Sequence, residues 1–203
     1  MSNSDRNAWF LAAAFILFAW SGIEAGEQER ATREVAKKLT FSGGRISIDN
    51  KFGSVTVRTQ GGTTVDVKAT LRANASTRER AEEVLNRIRI VTADGASGVT
   101  IKTEYPDVKM HNFGFGVDYQ VTIPAAAPLR VRNRFGSVDV AGVRAKADIG
   151  NAHGSVAFRD GKGAHEIENA FGSVAVDGND GNVTVRDANG SVAVKNVAGD
   201  VAI

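Results

Sequence analysis

Short segments of alternating apolar and polar residues recur in the last third of the chain, with an 18-residue period and without insertions. Four segments share this spacing: SVDVAGVRAKADIGNAHG (137–154), SVAFRDGKGAHEIENAFG (155–172), SVAVDGNDGNVTVRDANG (173–190) and SVAVKNVAGDVAI (191–203). Alternation with a period of two predicts β-strands that present every second side chain to one face. Because one such unit cannot bury its apolar face alone, the repeat predicts coils that stack on one another.

Each 18-residue coil contains two pairs of apolar positions that lie nine residues apart, so we expect two short strands and two turns per coil. The pairs are Val138/Val140, Val156/Phe158, Val174/Val176 and Val192/Val194, and then Ala147/Ile149, His165/Ile167, Val183/Val185 and Val201/Ile203. Glycines before both strands predict corners with positive φ, which glycine adopts without a steric penalty. The sequence therefore predicts an all-β protein with a parallel β-helix, or β-solenoid, fold.

A polar row accompanies these glycines at one position of every coil. It contains Asn133, Asn151, Asn169 and Asp187. Stacked amides can hydrogen-bond from coil to coil and satisfy the backbone groups of turns. We interpret the row as a structural corner, and the alternative is a stripe that binds a ligand.

The coil pattern also occurs once upstream, which defines the domain. Residues 50–55 (NKFGSV) match residues 133–138 (NRFGSV), so we predict a β-solenoid domain over 44–203 with regular coils at 129–203. An insert at about 72–128 interrupts it. The insert includes one helix near 76–88, with Ser76 and Glu79 as a capping box and apolar residues at helical spacing. Residues 26–43 form a charged linker that can include a short helix.

The first 25 residues predict export rather than a part of the fold. Arg6 precedes an apolar run from Ala8 to Trp20, and small residues up to Ala25 form a cleavage region. The run has thirteen residues, fewer than the roughly 20 that span a bilayer. We therefore predict a cleaved signal peptide at 1–25 and a periplasmic or extracellular location. The alternative is an uncleaved segment, which would be the only contact with a membrane.

The amino-acid composition excludes some classes of function. Residues 129–203 contain nine Lys or Arg and nine Asp or Glu, so this part of the chain is neutral and offers no basic stripe for nucleic acid. The chain has no cysteine, which excludes disulfides.

Candidate catalytic and metal-binding residues are few, and we predict no catalytic, cofactor-binding or metal site. His165 falls at an inward coil position and His153 at a corner occupied by phenylalanine in other coils. The third histidine, His111, lies in a loop. Calcium-binding β-rolls have a related period, and the residues that would test this are Asp160, Asp177 and Asp180.

Two further features leave alternatives open. Asp148 and Glu166 are one coil apart, so their Cα atoms should be about 4.8 Å apart, as in a catalytic carboxylate pair or in an ordinary pair on a solvated strand face. In the loop 105–116, Phe113 and Phe115 either form a contact surface or fold back onto the sheet.

Several motifs, in this order, resemble the bacterial family named "putative adhesin". They are GRISIDN (44–50), FGSVTV (52–57), YQVTIP (119–124), LRVRNRFGSVDV (129–140) and the Gly-x-Val-x-Val coils. The resemblance covers residues 40–203. It implies a β-helix-like fold and an extracytoplasmic location, and it brings no catalytic residues.

Three functional hypotheses follow. The first is a secreted, non-enzymatic scaffold or binding module of a bacterial envelope, with an envelope protein or a glycan as its partner and no cofactor. The second is a polysaccharide-active β-helix enzyme that uses Asp148 and Glu166. The third is a structural protein that self-associates through the C-terminal edge strand at 201–203.

Overall fold

A computed structural model describes residues 28–105 and 114–203, which form an all-β molecule with one helix. The predicted signal peptide at 1–25 lies outside the described residues, as do His111 and Phe113. The strands of the N-terminal half are β1 (Glu29–Thr40), β2 (Arg45–Asp49), β3 (Val55–Gln60), β4 (Thr64–Ala75), β5 (Arg89–Gly95), β6 (Gly98–Glu104) and β7 (Gly114–Pro124). Helix α1 (Arg78–Arg87) lies between β4 and β5.

The remaining strands are short and evenly spaced. They are β8 (Leu129–Phe135), β9 (Val138–Ala141), β10 (Ala147–His153), β11 (Val156–Lys162), β12 (His165–Phe171), β13 (Val174–Asp180), β14 (Val183–Asn189), β15 (Val192–Val197) and β16 (Val201–Ala202). Sheet 1 has the order β1-β4-β7-β3-β9-β11-β13-β15, and sheet 2 has the order β16-β14-β12-β10-β8-β2-β6-β5. Their inward apolar side chains form one core cluster.

From β8 onward, each strand pairs in parallel with the equivalent strand of the next sequence repeat. Val156 pairs with Val174 between β11 and β13, and Asp148 pairs with Glu166 between β10 and β12. Glycines with positive φ occupy the corners, where the chain passes against the backbone of the neighbouring strand. At Gly154, φ is +124° and an added Cβ would lie 2.4 Å from the carbonyl oxygen of Gly136.

The prediction of a parallel β-helix or β-solenoid is nevertheless wrong, because both eight-stranded sheets are mixed. β4 pairs antiparallel with β1 and with β7, and β5 pairs antiparallel with β6. The turn between Gly95 and Gly98 has two residues, and a connection of that length can join only antiparallel strands. The 18-residue spacing covers only the end of the chain, whereas β1 and β4 have 12 residues each and do not fit a coil with two short strands.

Two local predictions also need correction. Residues 29–40 of the predicted linker form β1, an edge strand of sheet 1, and not a helix. The helix predicted near 76–88 is present as α1, but its N-cap is Thr77 rather than Ser76, because the Thr77 side chain accepts a hydrogen bond from the Arg80 N–H. α1 buries Ala81, Val84 and Leu85 and packs against β1 and β4.

In the described part of the chain, no helix combines the length and the apolar character that crossing a membrane requires.

Candidate functional site

An open concave surface lies on the outer face of sheet 2. We call it the alanine groove: its floor is formed by Gly150, Ala152, Ala170 and Ala188, and its charged rim by Arg132, Glu168 and Arg186. It has a volume of about 640 Å³ and is open to solvent. The groove crosses β8, β10, β12 and β14, so it runs perpendicular to the strands.

The strand pattern explains how these residues reach one surface. Inward apolar residues alternate with outward residues along each strand, and equivalent strands of successive repeats pair in register, so outward residues at one coil position form a row. Because Gly150 has no side chain, the long side chain of Arg132 can lie across the floor at this position. A Cβ added at Gly150 would be only 3.1 Å from Arg132 Cδ. The groove is therefore encoded by one glycine and three alanines at outward positions.

Charged groups beside the groove are paired with one another. Arg132 donates from Nη2 to both carboxylate oxygens of Asp148, each at 2.8 Å. Arg186 contacts the carboxylates of Glu166 and Glu168, and hydrogen bonding and attraction from Glu166 first and then Glu168 raise the pKa of Arg186. Asp148 and Glu166 are thus neighbours, as their spacing predicts, but each carboxylate is held by a different arginine.

A buried asparagine ladder runs behind this face, at the position that the sequence singled out. Asn133 donates from Nδ2 to Asn151 Oδ1 at 3.2 Å, Asn151 donates to Asn169 Oδ1 at 3.2 Å, and Asn169 donates to Asp187 Oδ1 at 3.3 Å. Each asparagine also donates to the carbonyl of the glycine three residues later. The amides point into the molecule, which supports the structural interpretation of the row.

An aromatic column stands at the corner that follows the groove residues in sequence. It consists of Phe52, Phe135, His153 and Phe171, whose ring centroids are 5.4, 4.8 and 4.9 Å apart in that order. The rings are nearly parallel and stacked, and Phe135 and Phe171 remain 40% and 49% exposed. Phe115, which was predicted in the 105–116 loop, lies at the start of β7 and packs edge-to-face on Phe52 with centroids 5.2 Å apart.

The inward histidine is a buried, neutral group. His165 is 3% exposed, its Nδ1 accepts a hydrogen bond from the Ala147 N–H at 3.2 Å, and its ring lies 4.4 Å from that of Phe158. Burial lowers the pKa of His165 to about 4, and the side chain of Asn179 opposes this shift. Its Nε2 carries the proton, because Nδ1 acts as the acceptor.

The three aspartates that would test calcium binding do not form a cage. Asp180 is bonded to Lys162 at 2.9 Å, and Asp177 accepts a hydrogen bond from Asn196 at 2.7 Å. Asp160 lies within β11, where its φ is 54°. Across residues 28–105 and 114–203, no cluster of three or more His, Cys, Asp or Glu residues has a geometry that could hold a metal ion.

Sequence reasoning missed a cluster of hydroxyl groups around the side chain of Asn50. The hydroxyls of Thr103 and Tyr105 donate to Asn50 Oδ1 at 3.2 and 2.7 Å, and Thr103 shares a 2.6 Å hydrogen bond with Tyr119. Burial raises the pKa of both tyrosines. Only pairing between sheets brings these residues together, so no local signal in the sequence predicts the cluster.

Sequence reasoning also missed a charged group on sheet 1. Asp139 is bonded to Arg58 at 3.1 Å and to Arg159 at 3.0 Å. Partial burial acts to raise the pKa of this carboxyl, but the hydrogen bonds and charges of Arg58 and Arg159 outweigh it and lower the pKa.

Comparisons with known proteins give structural likeness but no sequence match. No family model matches the sequence, and none of the curated proteins matches it. A "putative cell adhesion protein" from Clostridium sporogenes ATCC 15579 is similar in structure, with a TM-score of 0.51 and 10% identity over 84% of this chain and 100% of that chain. A "putative adhesin" from Bacteroides fragilis NCTC 9343 has a TM-score of 0.32 and 11% identity over 83% and 96% of the two chains.

The first of these likenesses confirms, at the level of the fold, the resemblance that the sequence motifs predict. At 10% identity, it carries no residue roles over to this chain.

Proposed function

We propose that this chain is a secreted, non-enzymatic, adhesin-like binding module of a bacterial envelope, and that the alanine groove binds a glycan chain of that envelope. The observation that carries the proposal is the groove itself, an open concave surface with a small-residue floor and a rim of arginine and glutamate side chains. The export signal predicted at 1–25 and the fold shared with a protein described as a cell adhesion protein support the location and the class.

The chemistry of the groove favours a glycan over an extended peptide. The backbone groups of β8, β10 and β12 are used in the parallel sheet, so the groove can recognise a ligand only through side chains. Arg132, Glu168 and Arg186 offer planar groups that hydrogen-bond to hydroxyls, and the alanines offer a flat apolar surface to sugar CH groups. Four strands at a spacing of about 4.8 Å give a length of about 14 Å, which suits a short run of linked sugars.

The pairing of the charged groups supports binding rather than catalysis. A glycosidase needs one carboxyl group that is free to donate a proton and a second carboxylate that acts as nucleophile or base. Here Asp148 forms a bidentate pair with Arg132, and Glu166 is paired with Arg186. We therefore expect the protein to bind its glycan without cleaving it.

The test uses envelopes isolated from the organism that makes the protein. The mature chain is sedimented with envelopes before and after periodate oxidation of glycans or protease digestion of proteins. The variant Ala170→Arg fills the groove floor, and Ala175→Arg is its matched control on the outer face of sheet 1.

We expect binding that is lost with periodate and with Ala170→Arg but kept with protease and with Ala175→Arg. Equal binding by the two variants would remove the groove from the function. Loss with protease alone would make the partner a protein, and release of sugar by the wild type but not by Asp148→Ala with Glu166→Ala would make the chain an enzyme.

A further inference from the structure

A second concavity lies beyond one end of the alanine groove, where β2 and β6 end. Its volume is about 290 Å³, and it is lined by Asp49, Asn50, Lys51, Thr103, Tyr105 and Arg134. Lys51 and Arg134 are exposed, whereas Asn50 and Thr103 are buried. We call Lys51 and Arg134 the basic pair. The concavity thus combines a buried polar base with two cationic side chains at the surface.

The register of sheet 2 places the basic pair in line with the alanines of the groove floor. β8 pairs in parallel with β10, so Arg134 lies opposite Ala152. The bridge between Phe52 and Phe135 continues the pairing of β2 with β8, so Lys51 lies opposite Arg134. Neighbouring positions in such a row are about 4.8 Å apart, so the row from Lys51 to the last alanine of the floor is about 19 Å long. A ligand that lies along the floor therefore reaches the basic pair without changing direction.

The basic pair differs from the arginines along the groove in its lack of a carboxylate partner. Arg132 is bonded to Asp148, and Arg186 is bonded to two glutamates. No carboxylate of residues 28–105 or 114–203 forms an ion pair with Lys51 or Arg134. Like charges that lie opposite each other on paired strands repel, and an anion bound between them removes this repulsion. The arrangement therefore favours a negatively charged ligand group.

The backbone beneath the basic pair is fixed by the hydroxyl cluster. Asn50 Oδ1 accepts from the hydroxyls of Thr103 and Tyr105, and the Tyr105 hydroxyl accepts from the Phe52 N–H at 3.1 Å. These bonds hold the chain on both sides of Lys51. The Lys51 ammonium lies over the ring of Phe52, 5.1 Å from its centroid. Less freedom is therefore lost when a ligand binds here than on a mobile loop.

We infer that the glycan bound in the alanine groove is anionic, and that the basic pair binds a carboxylate or phosphate group on one of its sugars. This inference rests on the proposed function and names the chemical class of its ligand. Arg134 offers a planar pair of N–H donors that matches either anion, and Lys51 offers a compact positive charge.

The one carboxylate in the concavity fits a sugar as well. Asp49 lies between Arg132 on β8 and Lys102 on β6 in the register of sheet 2, so its charge is offset from both sides. Its oxygens accept hydrogen bonds from sugar hydroxyls, while the basic pair takes the anionic group. The concavity therefore suits an acidic sugar better than an isolated inorganic anion, which has no hydroxyl groups in the adjoining groove.

The test uses the mature chain and protease-digested envelopes from the organism that makes the protein, in the sedimentation assay described above. One portion of the envelopes is treated with carbodiimide and methylamine, which converts carboxylates to neutral amides. A second portion is treated with cold hydrofluoric acid, which cleaves phosphodiesters. A third is oxidised with periodate.

Two double variants separate the site from the overall charge. Lys51→Gln with Arg134→Gln removes the basic pair. Lys68→Gln with Lys195→Gln removes the same charge from exposed positions of sheet 1 and is the matched control. A third variant, Lys51→Arg with Arg134→Lys, keeps the charge of the basic pair and tests whether changes at these positions disturb the fold.

We expect the loss of the basic pair to weaken binding roughly ten-fold, because two charge-assisted hydrogen bonds are removed. The control on sheet 1 and the charge-keeping variant should bind as the wild type does, within about two-fold. Wild-type binding should also weaken when the NaCl concentration is raised from about 50 mM to about 500 mM. Loss after amidation would assign the anion as a carboxylate, and loss after hydrofluoric acid would assign it as a phosphate.

The outcomes distinguish this inference from the proposed function. Binding that periodate abolishes, but that survives both amidation and hydrofluoric acid, would overturn the inference and leave the glycan-binding function in place. Equal weakening by the basic-pair variant and by its control on sheet 1 would also overturn the inference, since overall charge would then explain the effect. Binding that periodate leaves unchanged would overturn both.

Discussion

The buried histidine of β12 makes the stability of this protein depend on pH in a way that can be calculated. His165 is 3% exposed and its pKa is lowered to about 4, against 6.5 for an unburied histidine. In the range between these two values, the unfolded chain binds a proton that the folded chain does not. The contribution of His165 to the free energy of unfolding is therefore greatest above pH 6.5 and falls as the pH decreases from 6.5 to about 4.

The magnitude follows from the difference in pKa. Each unit of difference corresponds to about 1.4 kcal/mol, so a shift from 6.5 to about 4 corresponds to about 3 kcal/mol of lost stability. The matched variant is His165→Val, because Val183 holds the same inward position on the neighbouring strand β14. This variant keeps every carboxyl group of the protein. The difference in unfolding free energy between wild type and variant, measured at each pH, therefore reports the contribution of the histidine alone.

The assay is urea unfolding followed by far-ultraviolet circular dichroism at several values between pH 7 and pH 4. We expect the stability of the wild type relative to His165→Val to decrease by about 3 kcal/mol over this range. A difference between wild type and variant that stays constant from pH 7 to pH 4 would refute the reasoning, since it would mean that the histidine is protonated equally in both states.

Other substitutions test the corner, the ladder and the hydroxyl cluster by the same unfolding measurement. Gly154→Ala should lower the free energy of unfolding by at least about 1 kcal/mol, because φ at Gly154 is +124° and the new Cβ would meet backbone atoms. Gly61→Ala is the control, since a Cβ there has open space and should change stability little. Similar losses for both variants would contradict this reasoning. Asn151→Ala should cost about 1–3 kcal/mol, since it leaves buried ladder groups unpaired, and a neutral result would show that water replaces the amide. Tyr119→Phe should cost about 1 kcal/mol by breaking the hydrogen bond to Thr103, an effect that is absent if Thr103 is already changed to valine.

The strand pattern and the glycines predicted the local structure of the C-terminal strands. Alternation placed Ile149 and Ile167 inward and Asp148 and Glu166 outward, and the 18-residue spacing predicted which of them become neighbours. These are short-range properties, because a strand's side-chain alternation depends only on its own backbone.

The architecture was predicted less well, because strand direction depends on connections outside the repeat. The antiparallel pairing of β4 with β1 and β7 joins segments that share no sequence motif, and the pattern of alternation is the same for parallel and antiparallel strands. The solenoid prediction extended the last third of the chain to the whole domain, and that extension was wrong.

The candidate site, like the fold, was predicted only in part from the sequence. The sequence singled out the row that contains Asp187, but it did not single out Ala152, Ala170 and Ala188 as a binding surface. Only the tertiary structure decided that Arg132 crosses Gly150 to reach Asp148, and that the hydroxyls of Thr103 and Tyr105 meet at the Asn50 side chain. Side-chain periodicity is set by the local backbone, whereas the direction of a long side chain and the partner of a buried polar atom are set by neighbours that are distant in the sequence.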